Sequence, residues 1–209
     1  MKLIDVTRPI FTGMTVWPGD ESVVIERTSS IAEGGAANIS RLHAGVHAGT
    51  HIDAPLHFID NGKSVDKLDI NLFAGRAKII DMEESRSIRY EHVKSINKAE
   101  SDAVFFKTPS SGHTLEEPFN TAFTSLEYDA AVHLIEKGIK VIGTDSLSIE
   151  RYGNKGNEVH KLLLKNNVLI IEGLWLKDIS PGMYNYICLP ILINGSDGAP
   201  ARVVLSKHS

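Results

Sequence analysis

Cys188 is the only cysteine among 209 residues. No internal disulfide can form, which excludes a disulfide-built secreted scaffold and a cysteine-rich zinc module. No run of 18 or more apolar residues occurs, so no membrane-spanning helix is expected. The N-terminal stretch is broken by Asp5, Arg8 and Pro9 and does not read as a secretory signal. Positive charge is not in excess: 22 Lys and Arg stand against 26 Asp and Glu, a net charge of -4. The field that would draw nucleic acid or an anionic membrane is missing. Gly13, Gly19, Gly34 and Gly35 lack the Lys-Ser or Lys-Thr that completes a phosphate loop. Repeats, low-complexity tracts and Pro/Ser-rich linkers are also missing. What remains is the expectation of a soluble, cytoplasmic protein with one domain over 1–209, in which 42% hydrophobic and 23% charged residues are ordinary.

The pattern along the chain predicts a mixed architecture. Strands are expected at 2–7, 22–28, 38–43, 76–82, 102–107, 139–145, 168–173, 185–193 and 200–206. Helices are expected around 88–99, at 126–138 and at 157–165, where apolar residues recur at helical spacing or the segment is polar between strands. Residues 108–125 read as a long loop of the kind that often serves as a lid. The first half is mostly strands and the second alternates helix and strand. The fold class is therefore α/β, mixed α+β: a mostly mixed sheet with flanking helices.

What the chain has in quantity is histidine. Of nine, four (His43, His47, His51 and His57) fall within residues 43–57. As a helix, 47–57 would put His47 and His51 on one face but turn Asp53 away, and Gly49, Thr50 and Pro55 oppose it. As a strand it would hold His47 and His51 about 13 Å apart. Bonds of about 2.0–2.1 Å to one shared ion could not span that gap. A bend at Gly49-Thr50 resolves the conflict by bringing His47, His51 and Asp53 together. Two imidazoles and a carboxylate suit a borderline divalent ion. His57 is either a fourth ligand or a general acid/base. The remaining histidines read more simply. His43 is expected in the core or just behind the cluster, His92, His133 and His208 at the surface or hydrogen-bonded in the core, and His113 in the candidate lid.

The segment His47-Ala-Gly-Thr-His51-Ile-Asp53-Ala-Pro-Leu-His57 resembles the signature of the cyclase-like metal-dependent hydrolases, a family that includes bacterial kynurenine formamidases. The resemblance extends through Ile4-Asp5-Val6-Thr7, Trp17-Pro18-Gly19-Asp20, Gly143-Thr144-Asp145 and Glu172-Gly173-Leu174. It ends in Leu189-Pro190-Ile191 and Asp197-Gly198-Ala199-Pro200-Ala201-Arg202. It implies a swivelling β/β/α-type domain, a homodimer or larger homo-oligomer, and a divalent metal centre. The metal is commonly Zn2+, as one or two ions, and sometimes Mn2+. His160 and Glu172 occupy the positions that complete the centre in the formamidase branch, and Trp17 matches the substrate-side aromatic. Read without the resemblance, His160 is a surface helix residue and Glu172 a carboxylate closing an apolar strand.

The implied reaction is hydrolysis of an amide, N-formylkynurenine to kynurenine plus formate, by attack of metal-bound hydroxide with His57 as acid/base. In a two-ion form Asp53 and Glu172 would bridge, with His47 and His51 on one ion and His160 on the other. Three readings compete: a hydrolase of another cyclic amide, lactam or ester, a metal-sequestering or sensor module, and a purely structural metal site. Asp145 is expected in a turn or behind the site, and Cys188 in the core.

Overall fold

The computed structural model describes residues 2–82 and 85–207; His208 lies outside the described residues. The strands are β1 (Ile4–Asp5), β2 (Val24–Ser29), β3 (Ile39–His43), β4 (His51–Asp53), β5 (Ala74–Asp81), β6 (Ser87–Ile88), β7 (Ala103–Lys107), β8 (Ser125–Leu126), β9 (Val141–Thr144), β10 (Leu169–Glu172), β11 (Gly182–Pro190) and β12 (Gly198–Lys207). The helices are α1 (Tyr90–Val93), α2 (Tyr128–Glu136) and α3 (Glu158–Lys165).

Eight strands form one sheet in the order β1-β12-β11-β5-β7-β9-β10-β4, and β4 also pairs with β12. That last pairing closes the sheet into a barrel, with β4 as its seam. The neighbours β5, β7, β9 and β10 run parallel, and the other pairs are antiparallel. Alternation along the parallel strands sorts their side chains into two cores. Ala103, Phe105, Val141 and Ile171 fill the barrel with Tyr186, Cys188 and Val203. Val104, Phe106, Ile142 and Ile170 pack outward against Ala130 and Leu134 of α2 and Leu163 of α3. Strands buried on both faces read as unbroken apolar runs, which is why 103–106 and 168–171 show no polar alternation.

Three expectations change. The helix around 88–99 shrinks to α1, because Ser87–Ile88 pairs with β8 and Asn97 Oδ1 accepts from Ala99 N (2.9 Å), a local turn that competes with helix. The first strand is only Ile4–Asp5, since Thr7 and Arg8 spend their polar groups on Val203 O and Thr50 Oγ1. The pair β2–β3 forms its own two-stranded sheet outside the barrel. Among the described residues, no helix is long and apolar enough to cross a membrane.

Candidate metal centre

The seam strand carries the site. Gly49 adopts φ 68, a conformation open to glycine at little cost, and the chain turns there before entering β4. On β4, antiparallel pairing sets His51 opposite Glu172 of β10 and Asp53 opposite Gly198 of β12. The first turn of α3 adds His160, and the short turn Pro55–His57 adds His57. His51, Asp53, His160 and Glu172 are 1–5% exposed, while His47 and His57 are half-buried.

The distances separate two kinds of contact. His51 Nε2 stands 3.4 Å from Glu172 Oε2 and 3.6 Å from Asp53 Oδ1. His160 Nε2 stands 3.3 Å from Glu172 Oε1 and 3.7 Å from Asp53 Oδ2. Most are longer than a good N–H···O bond. Ligand atoms around a tetrahedral ion with bonds near 2.0–2.1 Å stand roughly 3.3 Å apart, so the spacing suits a shared cation. Asp53 Oδ2 is buried with no hydrogen-bond partner, and an orphaned carboxylate oxygen is costly unless a cation meets it. With Cys188 buried and unavailable, the donors are all nitrogen and oxygen. The residues therefore fit a divalent ion.

Among the described residues, two donor groups share Asp53: His51, Asp53 and Glu172, and His47, Asp53 and His57. Proximity thus sets His51 with Glu172 and His47 with His57, whereas the two-ion form implied by the resemblance puts His47 and His51 on one ion. The cause is the β4–β10 register, which sequence spacing does not reveal.

The electrostatics show how strongly the carboxylates call for positive charge. Burial opposes charge on His47, yet its hydrogen bonds to Asp53 and Asp197 raise its pKa to about 9. Burial also opposes charge on His160, and Glu150 and Glu172 overcome it, raising the pKa to about 10. Asp53 and Glu172 are lowered despite burial, by the histidines around them. His57 moves the other way: burial lowers its pKa, and Asp53 offsets this only in part.

Three neighbours carried no role in the sequence reading. Glu150 Oε2 accepts from His160 Nδ1 (2.8 Å) and from its backbone N–H (3.2 Å), and Oε1 accepts from Val159 N–H (3.2 Å). It thus caps α3, where Asn157 makes no side-chain cap, and turns His160 Nε2 toward the carboxylates. Phe58 lies between His57 (4.1 Å) and His160 (4.5 Å) by ring centroids. Asp197 Oδ2 meets His47 Nε2 at 2.9 Å and His57 Nδ1 at 3.3 Å. Asp197 belongs to a stretch that carried the family resemblance, which was the one available signal. Glu150 and Phe58 had none.

A cavity of about 250 Å³ opens on the cluster, lined by His47, His51, His57 and His160 and also by Trp17 and Arg151. Trp17 is walled by Phe119 (5.1 Å), Tyr152 (5.5 Å) and Phe123 (6.2 Å). Two of these come from the 108–125 segment. Its first turn is held down by Arg8, which donates to Ser110 O (2.8 Å) and His113 O (2.7 Å). The other sequence candidates lie elsewhere. His43 is exposed at the end of β3, neither core nor neighbour of the cluster, because the β2–β3 pair stands outside the barrel. The His113 ring is exposed and pairs with Glu117 (2.7 Å). His133 is buried under Tyr90 (4.9 Å), and His92 Nδ1 accepts from Arg89 N–H at the start of α1.

The chain is similar to known proteins over nearly its whole length. The family described as putative cyclase matches residues 4–151. A kynurenine formamidase of Bacillus cereus is 35% identical over 202 residues, 97% of this chain and 96% of that protein. One of Salinibacter ruber is 35% identical over 207 residues, 98% and 97%. A solved structure described as a predicted metal-dependent hydrolase from Bacillus stearothermophilus is 36% identical, with TM-score 0.83 over 98% of this chain and 97% of that one. A bent histidine signature on the barrel seam, a fitting donor set and full-length likeness to these proteins place the chain in the cyclase family of metal-dependent hydrolases.

Proposed function

We propose that the chain hydrolyses the formamide bond of N-formylkynurenine to give kynurenine and formate, at a divalent metal centre holding zinc, with manganese the second choice. The observation that carries this is the orphaned, buried Asp53 Oδ2, which lies behind four imidazoles and Glu172 that themselves line a cavity shared with Trp17. The ligands are His47, His51, Asp53, His160 and Glu172. A metal held there would supply acidification of a water and polarisation of the carbonyl. Glu150 and the β4–β10 pairing hold the donors in place. His57, its Nδ1 on Asp197, takes the proton of the attacking water at Nε2. As the C–O bond forms and the C–N bond breaks, it returns that proton to the departing aryl amine nitrogen. The aryl ring packs on Trp17, beside Phe119 and Tyr152. The Arg151 guanidinium, lining the same cavity, takes the substrate carboxylate.

The chain works as a homodimer or larger homo-oligomer in this reading. The support is the β2–β3 pair, where Val24, Ile25, Ile39 and Leu42 are 42–54% exposed.

The test offers zinc-loaded protein N-formylkynurenine and, separately, an isatin-like lactam. Turnover of the formamide, lost on chelation and restored by zinc, supports the reading. Turnover of the lactam alone replaces it with the cyclic-amide alternative. His57→Gln separates an enzyme from a binding module: the enzyme keeps its metal and loses most turnover.

A further inference from the structure

Among the groups around the cluster, Asp197 stands out because one oxygen serves two rings. Its Oδ2 lies 2.9 Å from His47 Nε2 and 3.3 Å from His57 Nδ1. The two rings stack at 4.0 Å with an interplanar angle of 29°, so one carboxylate can reach both. The backbone of the same residue is equally committed. Ala54 N–H donates to Asp197 O (2.8 Å), and His57 N–H donates to Ala54 O (2.9 Å). The turn that bears His57 is therefore tied to the loop that bears Asp197. Next in the chain, Gly198 lies against the His47 ring: a Cβ there would stand 2.4 Å from His47 Cε1. Loop, turn and both rings form one packed unit.

We infer that Asp197 is the positioning residue for proton transfer, holding the proton of neutral His57 on Nδ1 and leaving the Nε2 lone pair for the substrate side. This rests on the hydrolase reading above. A free imidazole distributes its proton between the two nitrogens, and a carboxylate at one of them fixes which carries it. Asp197 is suited to this. Its side chain is 42% exposed, and it is not among the donor groups that share Asp53. A bystander that merely neutralised His47 would not need its second contact with His57.

The experiment compares wild type, Asp197→Ala and Asp197→Asn by three measurements. These are metal content, kcat and KM for N-formylkynurenine, and the 15N chemical shifts of the His57 ring. Asp197→Ala is expected to keep the metal stoichiometry of wild type. Its kcat falls ten- to a hundredfold, the range typical of residues orienting a site from behind, with KM within about twofold. Its His57 signals move from the Nδ1–H tautomer to a mixture. Asp197→Asn retains an acceptor oxygen and recovers part of the loss. A kcat within about twofold of wild type in Asp197→Ala, or an unchanged His57 tautomer, overturns the assignment. So does loss of metal, which would make Asp197 a support for His47 alone. If either variant fails to fold, the wild-type 15N shifts still decide, since the Nε2–H tautomer there refutes the proposal. If wild type leaves N-formylkynurenine untouched, the substrate reading fails while the tautomer measurement still judges Asp197.

Discussion

Two buried polar clusters lie side by side, joined through Thr50, and they are built on opposite terms. In the first, Arg8 donates to the carbonyls of Leu174, Ser110, His113 and Asp145, and its guanidinium lies 4.6 Å from the Trp175 ring. Asp145 accepts from Thr108 N–H (2.7 Å), Thr108 Oγ1 (2.6 Å) and Ser111 Oγ (2.5 Å). In the second, around Asp53, two carboxylates and several imidazoles crowd together and one oxygen is left without a partner. A buried polar network that satisfies itself rigidifies a fold. One that leaves an oxygen unmet, among donors spaced for an ion, is organised for something the chain does not supply. Burial of charge alone would not have told them apart.

The comparison can be broken most forcefully at Asp53. Asp53→Asn should abolish metal retention and lower kcat by more than about a thousandfold, or roughly 4 kcal/mol. The barrel should stay folded; metal analysis, kinetics and circular dichroism check this, and a variant that keeps its metal would erase the distinction. Arg8→Met should do the reverse. It removes the guanidinium donors from the carbonyls of Leu174, Ser110, His113 and Asp145 and should cost roughly 3 kcal/mol of stability in denaturant melts, with metal content unchanged. An Arg8→Met protein as stable as wild type would make the first cluster ornamental.

Asp145 sharpens the contrast through pH. Burial raises its pKa from 3.8 to about 6, against the pull of Ser111, Thr108 and Arg8. An acid whose folded pKa is raised favours the fold while protonated. That contribution is complete below about pH 4 and is lost as pH rises through about 6. Wild type should therefore lose roughly 3 kcal/mol relative to Asp145→Asn between pH 4 and 7. Parallel stability curves for the two would refute it. The smallest effect is expected at the aromatic wall: Trp17→Leu should raise KM for N-formylkynurenine about tenfold with kcat nearly kept. An equal fall in kcat would instead place Trp17 at the reacting atoms.

Legibility of the site followed sequence distance. Gly49, His51 and Asp53 are close neighbours in the chain, so the bend and its convergence could be argued from reach alone. His160 and Glu172 came only through family likeness, because a helix histidine and a strand-ending glutamate have ordinary roles on their own. Glu150 was silent: an acidic residue in a loop is usually solvated, and nothing local says it will cap α3 from outside. His43 misled because it shares the cluster by count, while the pairing of β3 with β2 carries it away. The helix expected around 88–99 ends at Val93, and beyond it the Asn97 side chain accepts from Ala99 N–H in a local turn.

By itself the sequence determined the chemistry on offer: nitrogen and oxygen donors without thiolate, a glycine where the chain must turn, and apolar runs long enough for strands buried on both faces. Only the tertiary structure decided how those donors divide. Closure of β4 between β10 and β12 set His51 against Glu172, turned the two oxygens of Asp53 toward different rings, and delivered Asp197 to His57. Spacing along a chain limits what neighbours can reach, but contacts across 121 or 140 positions depend on strand register, and register is fixed by the packing of the whole barrel.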